Sequence, residues 1–365
     1  MRAAVIGAGH IARQHLACLQ TLPDVQTVAV CDLSPSLAES AAERFGVARW
    51  YTDHRRMLDD VRPDVVHIGT PPATHYPLAV DSLEAGAHII VEKPVTVRYE
   101  DLRKLIEEAG RRDRMLLEDH NYLFNGSIQR VLGWVGSGEL GDVIHVDVVF
   151  CQDLFGEGNR LTDPNAPHPS LSLPGGAIAE FLTHLAYLSY AFVGEHRSVR
   201  TKWDKRSSNS LLPSDELRAL IVAERGTAML MFSAHAQPDA FFVRVYGTRM
   251  CVEAHLFEPR VVCQRLRGGP RPLMPMLNGL QQARDELRYA FGSLWRKVGG
   301  PGVYEGQWEL LRRSYRAMAD GASPPIPIEQ IDAVSRLVAE LTADRNRQGP
   351  ARPGSTGDEL LDRAK

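Results

Sequence analysis

The chain has 365 residues, 44% of them apolar and 24% charged. That ordinary globular balance excludes a disordered, collagen-like or disulfide-scaffold protein and predicts about two domains. With 42 Lys and Arg against 45 Asp and Glu, the formal net charge is −3, so there is no general basic surface for nucleic acid. Five scattered cysteines (Cys18, Cys31, Cys151, Cys251, Cys263), none at zinc-ligand spacing, suit free thiols in a reducing cytoplasm and point to no metal.

Met1-Arg2 runs directly into Ala-Ala-Val-Ile-Gly, which leaves no space for the apolar core of a signal peptide. Short β-branched runs at 3–6, 25–31, 65–68, 88–91 and 115–118 read as strands buried on both faces. Helical patterns at 11–22, 36–45, 76–85 and 99–112 alternate with them. Strand, helix, strand in this rhythm predicts a doubly wound parallel sheet, a Rossmann-type domain over residues 1–120. Gly46 and Gly86 stand where left-handed helix ends are wanted.

Past residue 120 the rhythm changes. A helix is expected at 125–135 and a long strand at 143–151, followed by a Pro-, Asn- and Gly-rich loop over 156–176. The apolar run 177–193 carries Glu180, Thr183, His184 and Ser189, so it reads as a buried helix rather than a bilayer span. Strand-like segments near 197–204, 215–223, 227–235, 241–247, 250–256 and 260–266 lack intervening helices. They predict an α+β domain, residues 121–345, built on a largely antiparallel sheet. Helices near 276–297, 303–320 and 327–344 close it, the last one able to pack back on the first domain, and 346–365 reads as a disordered tail. The amphipathic helix 276–297 fits packing on the domain or on a sister subunit better than a membrane surface.

The first chemical signal is Gly7-Ala-Gly9-His10-Ile11-Ala12, between a predicted strand and a predicted helix. Gly7 permits a tight turn, Gly9 lets backbone approach a pyrophosphate, and Ala12 is small where helix meets sheet. The helix start favours negative phosphates, with His10 and Ile11 at the turn. Asp32 at the end of the second strand suits ribose hydroxyls and repels a 2′-phosphate. No Arg follows within Leu33-Ser34-Pro35-Ser36, so NAD is expected and NADP is disfavoured.

Two further motifs fall at later strand ends, where open α/β sheets bind ligands. Thr70-Pro71-Pro72-Ala73-Thr74-His75 follows the strand at 65–68, and Glu92-Lys93-Pro94 follows that at 88–91. Lys93 can donate to a substrate oxygen or enter a proton relay; by itself it reads better as a salt-bridged surface lysine. Pro94 can adopt a cis peptide bond. In the second half, Glu180 and His184 stand at i and i+4 of the apolar helix and share a face. The carboxylate can orient the imidazole and raise its basicity; the residues alone fit a satisfied core pair better.

These motifs, in this order, resemble the Gfo/Idh/MocA family of nicotinamide-dependent oxidoreductases, which act on sugars, cyclitols and their derivatives. Asn121-Tyr122-Leu123-Phe124-Asn125 and Gly175-Gly176-Ala177-Ile178-Ala179-Glu180-Phe181-Leu182-Thr183-His184 are similar to later stretches of that family. The resemblance covers residues 3 to about 345. It implies a catalytic Lys93 and His184, with Glu180 in the family's aspartate position, and substrate contacts from Asn121 and Tyr122 as well. Cofactor contacts are implied for Gly7, Gly9, His10, Ile11, Asp32, Thr70, Pro71, Pro72, His75, Glu92 and Lys93. Glu180 in place of Asp and Leu182 in place of a small residue depart from the family's pattern. The expectation is therefore an NAD-dependent sugar or cyclitol dehydrogenase, a cytoplasmic homodimer or homotetramer with its active site across the domain boundary. The departures leave open a cofactor-binding member without net turnover, and the family's range implies a further alternative, an imine reductase or transient-oxidation enzyme.

Overall fold

The computed structural model describes residues 1–156, 159, 161, 163, 168–258, 260–266, 273–299 and 305–348. The chain divides into two compact units, the first comprising Met1–Asn121 and Gly306–Arg336.

The first unit alternates β1 (Arg2–Ile6), α1 (His10–Leu19), β2 (Gln26–Cys31), α2 (Pro35–Arg44), β3 (Trp50–Tyr51), α3 (His54–Val61), β4 (Val65–Ile68), α4 (His75–Glu84), β5 (His88–Val91), α5 (Tyr99–Arg111) and β6 (Leu116–Glu118). The strands pair in the order β3-β2-β1-β4-β5-β6, and every neighbouring pair is parallel. All four residues of β4 are buried, as a parallel strand covered by helices on both faces requires. The order reverses between β1 and β4, which opens a crevice at the carboxyl ends of the strands. Gly46 and Gly86 take φ of +63° and +86°, the left-handed ends expected of them. The sequence reading omitted β3 and α3; α3 is announced by Asp53, whose side chain accepts the N–H groups of Arg55 and Arg56.

The second unit holds Tyr122–Glu305 and the described residues from Leu337 on. It contains α6 (Gly126–Gly136), β7 (Val143–Cys151), α7 (Ala179–Val193), β8 (His196–Asp204), β9 (Glu216–Ala223), β10 (Gly226–Ser233), β11 (Ala240–Gly247), β12 (Met250–His255), β13 (Arg260–Arg265) and α8 (Met274–Gly299). Its sheet has the order β13-β12-β11-β7-β10-β9-β8. It is antiparallel except where β10 runs parallel to β7. Of the run Gly176–Val193, apolar and long enough to cross a membrane, 78% is buried inside the structure. Its Phe181 packs on Phe150 of β7 and Phe232 of β10, with ring centroids 4.7 and 5.2 Å apart. Burying a side chain as fully as Phe150 or Phe232 stabilises the fold by about 1.5–3 kcal/mol.

Two helices follow, α9 (Glu305–Asp320) and α10 (Ile328–Gln348). Residues 306–336 count with the first unit and the remainder of α10 with the second. Most of the expected tail, 349–365, lies outside the described residues, as do residues 157, 158, 160, 162 and 164–167 of the expected loop.

Candidate active site

The turn after β1 is built by its glycines. Gly7 has φ of +101°, and a Cβ there would sit 2.7 Å from the carbonyl oxygen of Gly69. Only glycine fits both the conformation and the space. At Gly9, the residue before α1, a Cβ would meet nothing within 4 Å, leaving room for a ligand against the backbone. No acidic residue occupies the first turn of α1 and no side chain caps it, so its N-terminus is open to an anion. His10 is exposed and Ile11 half-buried at that start. Ala12 is fully buried, and a Cβ at Gly69 would come within 3.1 Å of its own Cβ. The third small position is thus where α1 meets the end of β4.

Asp32 braces this turn with its carboxylate, which accepts the N–H of Ala8 at 2.8 Å and that of Ser34 at 2.9 Å. Leu33 beside it is 89% exposed, an apolar surface next to the carboxylate that composition did not single out.

The loops after β4 and β5 meet at His75. This ring is fully buried, with Nδ1 2.8 Å from the carbonyl oxygen of Pro94 and Nε2 2.7 Å from that of Thr70. Both ring nitrogens face backbone carbonyls, and the neutral ring donates its single N–H to one of them at a time, so His75 lies between the two motifs. Burial pulls its pKa down, and Lys93 adds to that; the two carbonyls and Glu118 pull it up, and the net direction is downward. Thr74 donates to the hydroxyl of Thr70 and the carbonyl of Pro71, both at 2.8 Å, while Pro72 opens a short helical turn. The Lys93–Pro94 bond is cis, and Lys93 is half-buried. Beyond it, the N–H of Val95 donates to Glu118 Oε1 at 3.1 Å.

Glu92, expected to touch a cofactor, instead turns its carboxylate into the protein and is 6% exposed. Its Oε1 lies 3.0 Å from Nε2 of His15 on α1. Asp119, just past β6, is 2% exposed and stands 3.6 Å from the same nitrogen. Gln307 of α9 donates through Nε2 to Asp119 Oδ2 at 2.7 Å. Behind them, His15 Nδ1 and His67 Nδ1 are 2.8 Å apart, and His67 Nε2 is 2.7 Å from the Tyr315 hydroxyl. Of these residues the sequence analysis singled out Glu92 alone. These residues lie on five separate elements, and no local motif joins them.

In the second unit, His184 is 7% exposed on α7. Its Nδ1 is 2.8 Å from the hydroxyl of Tyr187, one turn on, and that hydroxyl accepts the N–H of Tyr122 at 3.2 Å. The ring of Tyr122 stands edge-on to the imidazole, with centroids 4.9 Å apart. Tyr187 is the residue that sequence reasoning missed, although its i+3 spacing was a usable signal. Glu180 is half-buried; its carboxylate accepts the hydroxyl of Ser170 and lies 3.7 Å from His168 Nδ1. The long loop thus reaches α7 through His168 and Ser170. Leu182 is fully buried, so its bulk goes into the core. Gly175 and Gly176 lead into the helix with φ of +94° and +72°. Asn121, half-buried, begins a short helical turn that runs to Phe124.

Residues 1–120 match the sequence profile of the oxidoreductase family described as having an NAD-binding Rossmann fold, Gfo/Idh/MocA. D-glucoside 3-dehydrogenase of Escherichia coli (strain K12) is 35% identical over 144 residues, 39% of this chain and 41% of that protein. Myo-inositol 2-dehydrogenase of Thermotoga maritima is 28% identical over 141 residues, 39% of this chain and 42% of that one. The aligned part of the chain thus spans about two fifths of these relatives' own length. Over the whole fold, a levoglucosan dehydrogenase solved with NADH and levoglucosan superposes with a TM-score of 0.77. It is 19% identical, with 96% of this chain and 98% of that chain covered.

Proposed function

The first 120 residues of this chain are of the Gfo/Idh/MocA oxidoreductase family, and we propose that the protein is an NAD-dependent dehydrogenase or reductase of a sugar, cyclitol or sugar derivative. The observation that carries the cofactor assignment is the open cradle at Gly9 beside an uncapped helix start, with Asp32 braced next to it. The backbone N–H groups at His10 and Ile11 would take the pyrophosphate, and Asp32 the adenosine ribose. Thr70, Pro71 and Pro72 would line the same crevice, and Leu33 offers an apolar face to the adenine. Asp32 is the reason for NAD over NADP. Bound NAD supplies a hydride acceptor or donor at its nicotinamide C4.

The chain's own groups handle the proton and the oxygen. In oxidation, His184 removes the hydroxyl proton through Nε2, with Nδ1 donating to the Tyr187 hydroxyl. Lys93 stabilises the developing alkoxide. Glu180, Asn121 and Tyr122 would be substrate contacts, with the Glu180 carboxylate set by Ser170 and His168. Reduction reverses the proton's path. Sugar-like substrates are supported by the relatives' names, D-glucoside 3-dehydrogenase and myo-inositol 2-dehydrogenase. A homodimer or homotetramer would cover the outward sheet face, where Leu220, Val222 and Met229 are 49%, 44% and 42% exposed. A cytoplasmic location suits the five free thiols.

The test is a panel of sugars, amino sugars and cyclitols with NAD, followed through NADH absorbance. Lys93→Ala and His184→Ala are each expected to lower turnover by about 10²–10⁴-fold. Full turnover in both variants would end this assignment of roles. Tight NADH binding with no turnover on any substrate would favour the member without net chemistry, which Glu180 motivates.

A further inference from the structure

The carboxyl ends of β5 and β6 lie side by side, with the N–H of Asp119 donating to the carbonyl of Val91 at 3.0 Å. Each strand is followed at once by a buried acid, Glu92 and Asp119. A carboxylate oxygen of Glu92, one of Asp119 and a ring nitrogen of His15 all lie within 4.8 Å of one another. Gln307 Nε2 reaches both acids, at 2.7 Å from Asp119 and 3.4 Å from Glu92. Two carboxylates this close in a dry interior cannot both stay ionised without a cation between them.

The titratable groups packed around the pair are His15 and Cys18 from α1, His67 from β4 and Tyr315 from α9. Burial lowers the pKa of both imidazoles and raises those of the thiol and the phenol. All four are therefore neutral near pH 7, and the proton that balances the site resides on the carboxyls. We propose that Glu92 and Asp119 share one proton, and that this proton holds the ends of β5 and β6 together and so positions Lys93, the residue after Glu92. The proposal rests on the reading of Lys93 given above. Glu92 and Asp119 are positioning residues here, since neither is assigned a contact with substrate.

Burial, then the neighbouring Glu92, raises the Asp119 carboxyl from 3.8 to about 8. A folded pKa above the unfolded one means that the proton's stabilisation is complete below about pH 4. It is lost progressively as pH rises to about 8, and nothing further is lost above that. Past that point the two acids repel and the strand ends separate.

The experiment compares wild type with Asp119→Asn, which keeps the shape and cannot ionise. If only the protonated pair holds the site, wild-type NADH affinity falls about tenfold between pH 7 and pH 9. Asp119→Asn flattens that fall, and its melting temperature gains on wild type from pH 4 to pH 8. Infrared spectroscopy of wild type gives a readout independent of the variant's folding. A protonated carboxylic acid band is expected at pH 7 and lost by pH 9. Absence of that band at pH 7, an unchanged alkaline fall in Asp119→Asn, or a stoichiometric divalent metal in the purified protein would each overturn the proposal. Failure of both proteins to bind NADH at pH 7 would instead remove the cofactor reading, and the infrared band would still decide the shared proton.

Discussion

At the end of β1 the backbone itself shapes the site. Gly7 turns where no side chain fits, Gly9 leaves space open, and Asp32 answers two main-chain N–H groups. On α7 the same task falls to side chains. His184 is set by the Tyr187 hydroxyl and the edge of Tyr122, and Glu180 by Ser170 and His168. A site made by backbone tolerates few residue types and writes itself as Gly and Asp at fixed spacing. A site made by side-chain partners accepts several chemistries, and that is where this chain departs from the pattern of the family it resembles, at Glu180 and Leu182.

That contrast can be broken at its strongest point with Gly7→Ala. The added methyl faces a backbone carbonyl at 2.7 Å with φ at +101°, so a loss of about 3 kcal/mol in denaturant unfolding is expected, together with NADH affinity. A variant that kept both would show that the turn can shift and is not dictated by its backbone. Asp32→Ala removes a carboxylate that accepts two N–H donors, a cost of about 2 kcal/mol. It should also bring NADH and NADPH affinities closer together, measured by fluorescence titration; an unaltered preference would take Asp32 out of the ribose site. Tyr187→Phe is the smallest change. It leaves the N–H of Tyr122 and Nδ1 of His184 without the hydroxyl, costing about 1 kcal/mol. The pH profile of turnover should move with it, and a profile identical to wild type would mean that His184 is not tuned by this contact.

Much of the first unit was legible because its signals are local. Five of its six strands are short apolar runs, and the motifs sit at their ends; β3 escaped notice because Trp50–Tyr51 is only two residues long. Lys93, Glu180 and His184 were singled out only through the family resemblance that the motif order carries. His75 was singled out in the same way, but its place between the Thr70 and Pro94 carbonyls could not be read. Nor could the cluster of His15, His67, Glu92, Asp119, Gln307 and Tyr315 be found, because its members are up to about 300 positions apart in a chain where only neighbours at three or four positions are readable.

In the second unit, a run of strands with short turns announced a largely antiparallel sheet, which the structure has, with β10 parallel to β7 as the one exception among the described strands. Hairpin signals tell which strands follow each other and leave open which ones meet across the sheet. By itself, then, the amino-acid order determined the doubly wound first unit, its glycine turn after β1 and the helix that carries His184, since glycine, proline and apolar period act within a few residues. Tertiary structure alone decided which buried acids face each other and which hydroxyl meets His184. It also decided that residues 306–336 count with the first unit. Those outcomes depend on burying charge and filling space between distant segments, and no local pattern encodes them.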